Sequence, residues 1–327
     1  MRDALIPTSA AGSAWPVRTP RRETPVRKRI AILSRKRSLY STRRLCEAIE
    51  AFGHEAVVLD TLRCELTVDK NHQALLYEGA EIALPDLVIP RIGASITRYG
   101  LAVVNQLEAM GIPVLNRASA IGCSRDKLRC LQILAQAGVQ VPRTVMMRRR
   151  GRLGEAVERI GGLPVIVKLL QGTQGVGVML AHTMEELETL LDTMWDLDQE
   201  ILLQEFVAEA RGRDIRAVVV GDRVVAAMRR IAGSAGEFRS NLHRGGRGEV
   251  VELPPAYERE AIRAARAVGL EVAGVDLLES SGGPMVTEVN SSPGLRGIER
   301  AARVDIAGAI VSHGLEAFCA PTSTRPL

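Results

Sequence analysis

Short apolar runs alternate with amphipathic segments through the first third of the chain. The run RIAILS (Arg29 to Ser34) predicts a buried strand, because it is largely apolar and too short for a helix. The next segment has apolar residues at helical spacing and reaches Gly53, a residue type that commonly ends helices. The later predictions in this part are strands at Ala56 to Leu59, Pro85 to Gly93 and Ile112 to Asn116, and a helix at Tyr99 to Met110. Alternating strands and helices indicate a parallel sheet covered on both faces, whose ligands gather at the carboxyl ends of the strands.

From Ser124 onward the pattern contains more strands than helices. The stretch SRDKLRCLQILAQAGV predicts an amphipathic helix with Ser124 as its N-cap and Gly138 at its end. The predicted strands are Thr144 to Met146, Val165 to Lys168, Gly177 to Ala181, Ile201 to Glu205, Asp214 to Val220, Arg223 to Arg230, Val272 to Leu278 and Met285 to Asn290. The predicted helices are Leu153 to Ile160, Met184 to Met194 and Tyr257 to Val268.

The strand MVTEVN carries polar side chains where a buried strand would be apolar. Side chains alternate faces along a strand, so Glu288 and Asn290 point the same way. The run AGVDLLES precedes it across Ser-Ser-Gly-Gly, the pattern of a β-hairpin, which brings Asp276 onto the same face. Three hard oxygen ligands suit Mg²⁺, which keeps its other positions for water and phosphate oxygens, as in an ATP site. The alternative is that Asp276 and Glu288 pair with arginines such as Arg296 or Arg300.

A Gly-rich loop follows Lys168. The stretch VIVKLLQGTQGVGVMLA ends one strand at Lys168, passes Gly172, Gly175 and Gly177, and opens another strand. It is neither the dinucleotide fingerprint nor a Walker A loop, because in both of those the loop opens a helix. In a β-hairpin flap, glycines let backbone N–H groups approach phosphate oxygens, and the lysine adds a point charge. A Gly-rich hairpin is also often only structural, so this feature needs the oxygen-bearing strand to support it.

The net charge of +5 over 327 residues is concentrated at the start of the chain. Residues 1 to 28 carry a local charge of +4, which leaves only +1 for the remainder. Aromatic residues make up 3% of the chain, too few for a base-stacking platform. We therefore expect no nucleic-acid site on the folded body. Separately, the length of the chain exceeds that of one compact core, which predicts several domains.

The basic first segment lacks the apolar core of a signal peptide, and no later window is long and apolar enough to span a bilayer. It predicts a disordered leader, with a weak contact to an anionic partner such as RNA as the alternative. An organelle transit peptide fits poorly with Trp15 and the prolines of this segment. The five cysteines are odd in number and lack paired short spacing, which favours free thiols in a reducing compartment. We expect a cytoplasmic protein without a membrane partner.

Four motifs together carry a resemblance: the flap KLLQGTQGVGV, the strand QEFV, the stretch FRSNLHRGG and the hairpin GVDLL…TEVNSSPGL. They resemble the ATP-grasp superfamily. PRIG and SRDK narrow the likeness to the RimK-type ligases, which add glutamate to the carboxyl terminus of the sixth protein of the small ribosomal subunit. The likeness covers roughly Arg29 to His313. It implies an α/β fold of the ATP-grasp type, with an N-terminal parallel α/β (pre-ATP-grasp) domain and two α+β subdomains that clasp ATP.

The resemblance divides the chain into five segments. A disordered basic tail is expected over 1–28, the N-terminal domain over 29–118, the first ATP-grasp subdomain with the flap over 119–208, the second with the metal site over 209–316, and a C-terminal tail over 317–327. The partners implied are free glutamate, the carboxyl terminus of a small-subunit ribosomal protein, and further copies of the chain in a homotetramer.

The resemblance also implies roles for individual residues. Asp276, Glu288 and Asn290 would hold two Mg²⁺ or Mn²⁺ ions, and Arg239 and Asn241 would act in catalysis near the γ-phosphate and the reacting carboxylate. The residues implied in ATP binding are Lys127, Lys168, Gly172, Gly175, Gly177, Glu205, Phe206, Asp214, Arg239, Ser240 and Asn241. Among these, the two lysines are expected at the phosphates, and Glu205 and Phe206 at the strand that reads adenine.

The implied function is an ATP-dependent carboxylate–amine ligase that adds glutamate through an acyl phosphate and releases ADP and phosphate. Two alternatives stand beside it: a ligase of the same family for a small-molecule acceptor (cofactor glutamylation, dipeptide or polyglutamate synthesis), and a non-catalytic ATP-binding regulator. The intact trio Asp276, Glu288 and Asn290 weighs against the regulator. Basic residues available near the site favour anionic substrates, namely Arg91, Arg98, Arg239, Arg244 and Arg247.

The sequence allows two interpretations for each of two further residues, Arg91 and His243. Arg91 follows the strand LVIP, where ligands of a parallel sheet gather, but a solvated loop arginine would have the same sequence context. His243, in NLHRGG, could be a general base, although an orienting or loop-packing role fits better with chemistry driven by metal and arginine charge. The basic tail and the small loop IAGSAGE before FRSN depart from compact family members, and both would affect acceptor choice rather than ATP chemistry.

Overall fold

The computed structural model describes residues 26–70, 73–148, 150–170, 177–233, 238, 240 and 245–319. The elements of the N-terminal part are β1 (Arg29–Leu33), α1 (Tyr40–Ala51), β2 (Glu55–Leu59), β3 (Cys64–Val68), β4 (Gln73–Tyr77), β5 (Ala80–Glu81), β6 (Leu87–Pro90) and α2 (Thr97–Ala109). The predicted parallel sheet is present, in the order β2-β1-β6. Its central strand has Ile30, Ile32 and Leu33 fully buried, as expected of a strand covered on both faces.

A small antiparallel sheet in the order β3-β4-β5 was not predicted from the sequence. It lies against α2, where Gln106 Nε2 donates a hydrogen bond to Thr67 O at 3.2 Å and Tyr99 Oη donates to Cys64 O at 2.5 Å.

The predicted strand Ile112 to Asn116 is wrong. Within it only Val114 pairs with the parallel sheet, through one parallel bridge to Val88 of β6.

Two short helices replace the single helix predicted from Ser124. They are α3 (Ala118–Arg125) and α4 (Lys127–Gln136). Ser124 lies inside the first helix, so its assignment as N-cap is wrong. The cap is Asp126, whose carboxylate accepts a hydrogen bond from Arg129 N at 3.0 Å. Gly138 follows the helix with a φ of +72°, which confirms it as the stop signal.

The middle part of the chain forms a four-stranded antiparallel sheet with two helices. Its elements are β7 (Thr144–Met146), α5 (Leu153–Arg159), β8 (Val165–Leu169), β9 (Val178–Ala181), α6 (Met184–Asp196) and β10 (Ile201–Glu205). The strand order is β7-β10-β8-β9, and the pairing of β8 with β9 confirms the predicted hairpin. Apolar residues of α5 and α6 cover one face of this sheet, including Val157, Leu187 and Leu191.

The last part forms a five-stranded antiparallel sheet in the order β13-β12-β11-β14-β15. Its elements are β11 (Arg213–Val220), β12 (Arg223–Ile231), β13 (Arg247–Val250), α7 (Pro255–Val268), β14 (Val272–Ser280), β15 (Gly283–Asn290), α8 (Arg296–Ala302) and α9 (Ile306–Phe318). α7 starts with proline at its first position and ends at Gly269, which has a φ of +82°.

One hydrophobic core joins the parallel sheet to the five-stranded sheet. Ile30 and Leu87 of the first belong to the same buried cluster as Val218 of the second and Ile310 of α9. Asn116 fastens the junction, because its Nδ2 donates to Val272 O at 2.8 Å and to Ser291 O at 3.0 Å. The carboxyl ends of the parallel strands are therefore fixed close to the end of β15.

The cysteines are free thiols, as predicted, with Cys319 half-buried and Cys46, Cys64, Cys123 and Cys130 buried. Among the residues that the structure describes, no helix combines the length and the apolar character needed to cross a membrane.

Candidate functional site

A β-bulge on β15 shapes the polar face of the β14–β15 hairpin. Asp276 lies opposite Glu288, but its neighbour Leu277 lies opposite Val286, so Thr287 is an extra residue on β15. The hydroxyl of Thr287 donates a hydrogen bond to Asp276 O at 3.2 Å, which helps to hold the bulge in place.

The extra residue of the bulge changes which side chains of β15 face the core and which face the opposite side of the sheet. Val286 and Val289 are both fully buried in the core, although they are three residues apart. Glu288 lies opposite Asp276 and Asn290 lies opposite Gly274, so the three polar side chains share the other face. The grouping of Asp276, Glu288 and Asn290 that the sequence predicts is thus what the register produces.

Asp276 is held by two arginines of the same sheet, Arg216 on the adjacent strand β11 and Arg230 on β12. Arg216 binds it through two hydrogen bonds, Nε to Oδ1 at 2.7 Å and Nη2 to Oδ2 at 2.6 Å. Arg230 donates to Asp276 Oδ2 at 2.9 Å and binds Asp214 Oδ1 at 2.6 Å. The ion pairing considered for Asp276 is therefore present, but with these arginines and not with Arg296.

The charges of this network stabilise one another. Burial would raise the pKa of Asp276, but the guanidinium groups of Arg216 and Arg230 outweigh burial and hold the pKa below its usual value. Burial would lower the pKa of Arg230, and the carboxylates of Asp276 and Asp214 outweigh it, so that pKa is raised. Asp276 and Arg230 are therefore both charged at neutral pH, and Asp276 is fixed in position.

The other two members of the polar face are available to a ligand. Glu288 is exposed, and the Nδ2 atom of Asn290 is buried without a hydrogen-bond partner among the described residues. Rotation of the Asn290 side-chain amide by 180° exchanges the positions of Oδ1 and Nδ2, so Asn290 can direct its oxygen toward a ligand. Two carboxylates and an amide oxygen fit a divalent cation such as Mg²⁺.

Across the described ranges, no group of three or more His, Cys, Asp and Glu side chains could hold a metal ion by itself. A cation held by Asp276, Glu288 and Asn290 would therefore depend on the amide oxygen and on ligands from outside the protein. This donor set matches Mg²⁺ bound together with phosphate oxygens.

Lys127 and Lys168 approach the polar face from two different elements. Lys127 is the first residue of α4, and its Nζ donates to Leu169 O at 2.9 Å and Leu170 O at 2.8 Å, next to the start of the Gly-rich loop. Lys168 lies on β8. Burial lowers the pKa of both lysines, and the negative charge of Glu288 opposes that shift in each. Both positive charges are thus within electrostatic reach of Glu288.

The described end of the Gly-rich loop has a backbone that only glycine accepts easily. Gly177 has a φ of +77°, and a Cβ there would lie 2.6 Å from Leu169 Cδ1. The other two predicted glycines, Gly172 and Gly175, lie outside the described residues.

Glu205, at the end of β10, has its carboxylate engaged by Arg143. It accepts hydrogen bonds from Arg143 Nε and Nη2, both at 3.0 Å, and these lower the pKa of Glu205 more than burial raises it. Phe206 follows directly. A nucleotide base at this strand end would therefore meet backbone groups more readily than a free carboxylate.

The predicted segment FRSNLHRGG is described only in part. Ser240 is buried, whereas Arg239, Asn241 and His243 lie outside the described residues. Of the remaining basic candidates, Arg98 is exposed on α2, and Arg247 forms an exposed ion pair with Glu249 at 3.3 Å.

The solvated-loop interpretation of Arg91 is wrong. Its Nη2 donates to Pro293 O at 2.6 Å, so the side chain lies at the junction with the loop that follows β15. Burial, together with the charge of Arg125, lowers the pKa of Arg91 to about 10.

Three arginines of the site, Arg125, Arg216 and Arg230, were not predicted from the sequence. A signal existed for the last two, because they interrupt apolar strands at positions where a charge must be paired. Pairing requires the register, in which Arg216 lies opposite Asp276 and Arg230 opposite Asp214.

Comparisons with known proteins agree with this geometry. Residues 29–121 match the model of the RimK PreATP-grasp domain, and residues 124–313 match that of the RimK-like ATP-grasp domain. The chain is 50% identical over 283 residues to "Probable alpha-L-glutamate ligase 2" of Pseudoalteromonas atlantica, covering 86% of this chain and 94% of the relative.

Solved structures share the fold. A RimK domain protein ATP-grasp from Sphaerobacter thermophilus superposes with a TM-score of 0.67 at 24% identity, covering 88% of this chain and 99% of the other. The ATP-grasp ligase PsnB, solved with a phosphomimetic variant of its minimal precursor, Mg and ADP, gives a TM-score of 0.68 at 24% identity, with 90% and 99% covered.

Proposed function

The chain belongs to the RimK-like ATP-grasp family, and we propose that it is an α-L-glutamate ligase that adds glutamate to the carboxyl terminus of a small-subunit ribosomal protein. The family makes it an ATP-grasp ligase that forms an amide bond. The curated relative named as a glutamate ligase supports glutamate as the amino acid. We propose that it acts in the cytoplasm, where ribosomal proteins are found, as a homotetramer.

One observation carries the proposal. The exposed carboxylate of Glu288 stands beside the fixed carboxylate of Asp276, within electrostatic reach of Lys127 and Lys168. Phosphoryl transfer from ATP needs carboxylates that hold a cation and lysines that bind phosphates, and here the two kinds of residue come together from a helix and two sheets. A regulator that only bound ATP would not require the carboxylates to be preserved.

The chemistry follows from the substrates. A carboxylate oxygen of the acceptor attacks the γ-phosphorus of ATP, the bond from that phosphorus to the ADP oxygen breaks, and an acyl phosphate forms. The amine of glutamate then attacks the acyl carbon and loses a proton, and the carbon–oxygen bond to phosphate breaks. The products are an amide, ADP and phosphate.

The residues of the chain have separate roles in this scheme. Asp276, Glu288 and Asn290 would hold a divalent ion, which would supply positive charge for phosphoryl transfer. Lys127 and Lys168 offset the charge of the phosphates. Arg216 and Arg230 orient Asp276, and Arg239 and Asn241 remain our predicted contacts to the γ-phosphate and the reacting carboxylate.

The test combines ADP release with intact mass of the acceptor. Purified protein is incubated with Mg²⁺, ATP and glutamate, with and without the small-subunit ribosomal protein, and aspartate replaces glutamate as a control. We expect mass steps of whole glutamate residues on the ribosomal protein that Glu288→Ala abolishes. ADP release with glutamate alone would point to a small-molecule acceptor or polyglutamate, and no release under any condition would indicate a regulator.

A further inference from the structure

Arg91 and Arg125 form a pair of half-buried arginine side chains beside the site. Arg91 follows β6, and Arg125 is the last residue of α3. Their hydrogen bonds go to backbone carbonyls: Arg91 Nη2 to Pro293 O at 2.6 Å, and Arg125 Nη2 to Ile92 O at 2.6 Å. Within the described part of the chain, neither guanidinium lies within ion-pair distance of a carboxylate. Two cations are thus held close together, and neither has an ion-pair partner among the described residues.

This pair has unused capacity to bind an anion. A guanidinium has five N–H donors, and the Nε of Arg125 is buried with no hydrogen-bond partner among the described residues. Burial lowers the pKa of both arginines, and the charge of Arg125 lowers that of Arg91 further. Burying unpaired cations is costly, and an anionic ligand would relieve that cost.

The pair also lies close to the polar face of the β14–β15 hairpin. The negative charge of Glu288 raises the pKa of Arg125, as it does for Lys127 and Lys168, so the same carboxylate is within reach of all three. Arg91 contacts the carbonyl of Pro293, in the loop that follows Asn290. The pair therefore borders the polar face of the hairpin on the side of the N-terminal domain.

We propose that Arg91 and Arg125 bind the carboxylates of the incoming glutamate and so select an acidic amino acid. The inference rests on the proposed function. The acceptor's reacting carboxylate becomes the neutral carbonyl of an acyl phosphate, with the negative charge on the phosphoryl group, whereas both carboxylates of glutamate remain charged throughout. Arginines stay protonated and offer planar pairs of donors that fit carboxylates, so they suit the group whose charge persists.

The test is a set of variants with separate KM values for glutamate, ATP and acceptor. Arg125→Gln removes the charge, Arg125→Lys keeps it without the planar donor pair, and Arg91→Lys does the same at the other position. Arg117→Gln is the matched control, since Arg117 is exposed and directly precedes α3, the helix that ends at Arg125. We expect Arg125→Gln to raise the KM for glutamate about tenfold or more, while the KM for ATP stays within about twofold. The two lysine variants should give intermediate increases, and Arg117→Gln none.

A binding measurement without turnover complements the kinetics. Glutamate is added to the protein with Mg²⁺ and a non-hydrolysable ATP analogue, and the shift in melting temperature is recorded. The wild type and Arg117→Gln should be stabilised by glutamate, and Arg125→Gln should not be.

The results of these experiments distinguish a failure of this inference from a failure of the proposed glutamate ligase function. An active Arg125→Gln with an unchanged KM for glutamate overturns the inference alone, as does a rise confined to the KM for the acceptor. If Arg125→Gln fails to fold, the lysine variants decide by the same criteria. A wild type that releases ADP with no dependence on glutamate overturns both the function and the inference.

Discussion

Asp276 and Glu288 lie directly opposite each other on β14 and β15, yet Asp276 is buried between two arginines and Glu288 is exposed. The two carboxylates therefore have different physical roles. Asp276 is held by Arg216 and Arg230 and contributes to the stability of the sheet. Glu288 has little structural role and is free to take part in ligand binding.

The first prediction concerns the stability role of Asp276. Asp276→Asn removes the only carboxylate that Arg216 contacts among the described residues, and it leaves Arg230, whose side chain is 5% exposed, with Asp214 alone. We expect the free energy of unfolding to fall by about 3 kcal/mol, as when one partner of a buried ion pair is removed. Chemical denaturation measures it, with Glu288→Gln as the control that should change it by less than about 0.5 kcal/mol. Equal effects of the two substitutions would contradict this division of roles.

The second prediction concerns the pH dependence of the same ion pairs. The pKa of Asp276 lies below its usual value. Its contribution to stability is therefore complete above the unfolded pKa of about 3.9 and is lost as the pH falls through the lower folded pKa. The stability difference between the wild type and Asp276→Asn should be constant near neutral pH and should narrow only below about pH 4. Denaturation series from acid to neutral pH check this, and a difference that already closes near pH 6 would refute it.

The third prediction concerns the close packing of Gly274 against Pro293, in the loop that follows Asn290. A Cβ on Gly274 would lie 2.8 Å from Pro293 Cβ and 3.8 Å from Asn290 Cβ. Gly274→Ala should therefore displace the loop after β15, lower kcat and cost about 1–3 kcal/mol of stability. Gly294→Ala, in the same loop, is the control, because nothing lies within 4 Å of its added Cβ. Matching behaviour of the two variants in activity and unfolding would show that the contact with Pro293 is unimportant.

The fourth prediction concerns Lys127. Its Nζ binds the carbonyls of Leu169 and Leu170 beside the Gly-rich loop and carries a charge that can reach phosphates. Lys127→Met should raise the KM for ATP by about tenfold, as expected for the loss of a charge-assisted contact. Lys36→Met, at an exposed position, should leave it unchanged. Steady-state kinetics with varied ATP decide, and an unaltered KM in Lys127→Met would exclude Lys127 from the phosphate site.

Much of the fold could be predicted from local patterns. Continuous apolar runs located β1 and β6, and the Ser-Ser-Gly-Gly turn located the β14–β15 hairpin. The sheet β3-β4-β5 was missed because its strands are short and half-exposed, so their apolar residues form no clear alternation. Whether a segment becomes a strand also depends on pairing with other strands, which the local sequence does not specify. IPVLN has strand-forming residues, but only Val114 pairs with another strand.

The site was predictable where one strand carried the signal. Alternation placed Glu288 and Asn290 on one face, and the hairpin brought Asp276 to them, but the bulge at Thr287 that buries both Val286 and Val289 has no clear local signature. Arg216 and Arg230 depend on register across strands. Arg125 depends on how α3 meets the rest of the protein, which local patterns do not encode.

The most direct test of the whole account is the rate of glutamate-dependent ADP release in Glu288→Gln against the wild type. Glu279→Gln is the matched control, because Glu279 also lies on the hairpin but forms an ion pair with Arg229 at 2.7 Å. We predict that Glu288→Gln lowers kcat by about a hundredfold or more, since a ligand of the catalytic cation is lost, while its unfolding is unchanged. Glu279→Gln should keep the wild-type rate. A Glu288→Gln protein that ligates glutamate as fast as the wild type would contradict the assignment of the site.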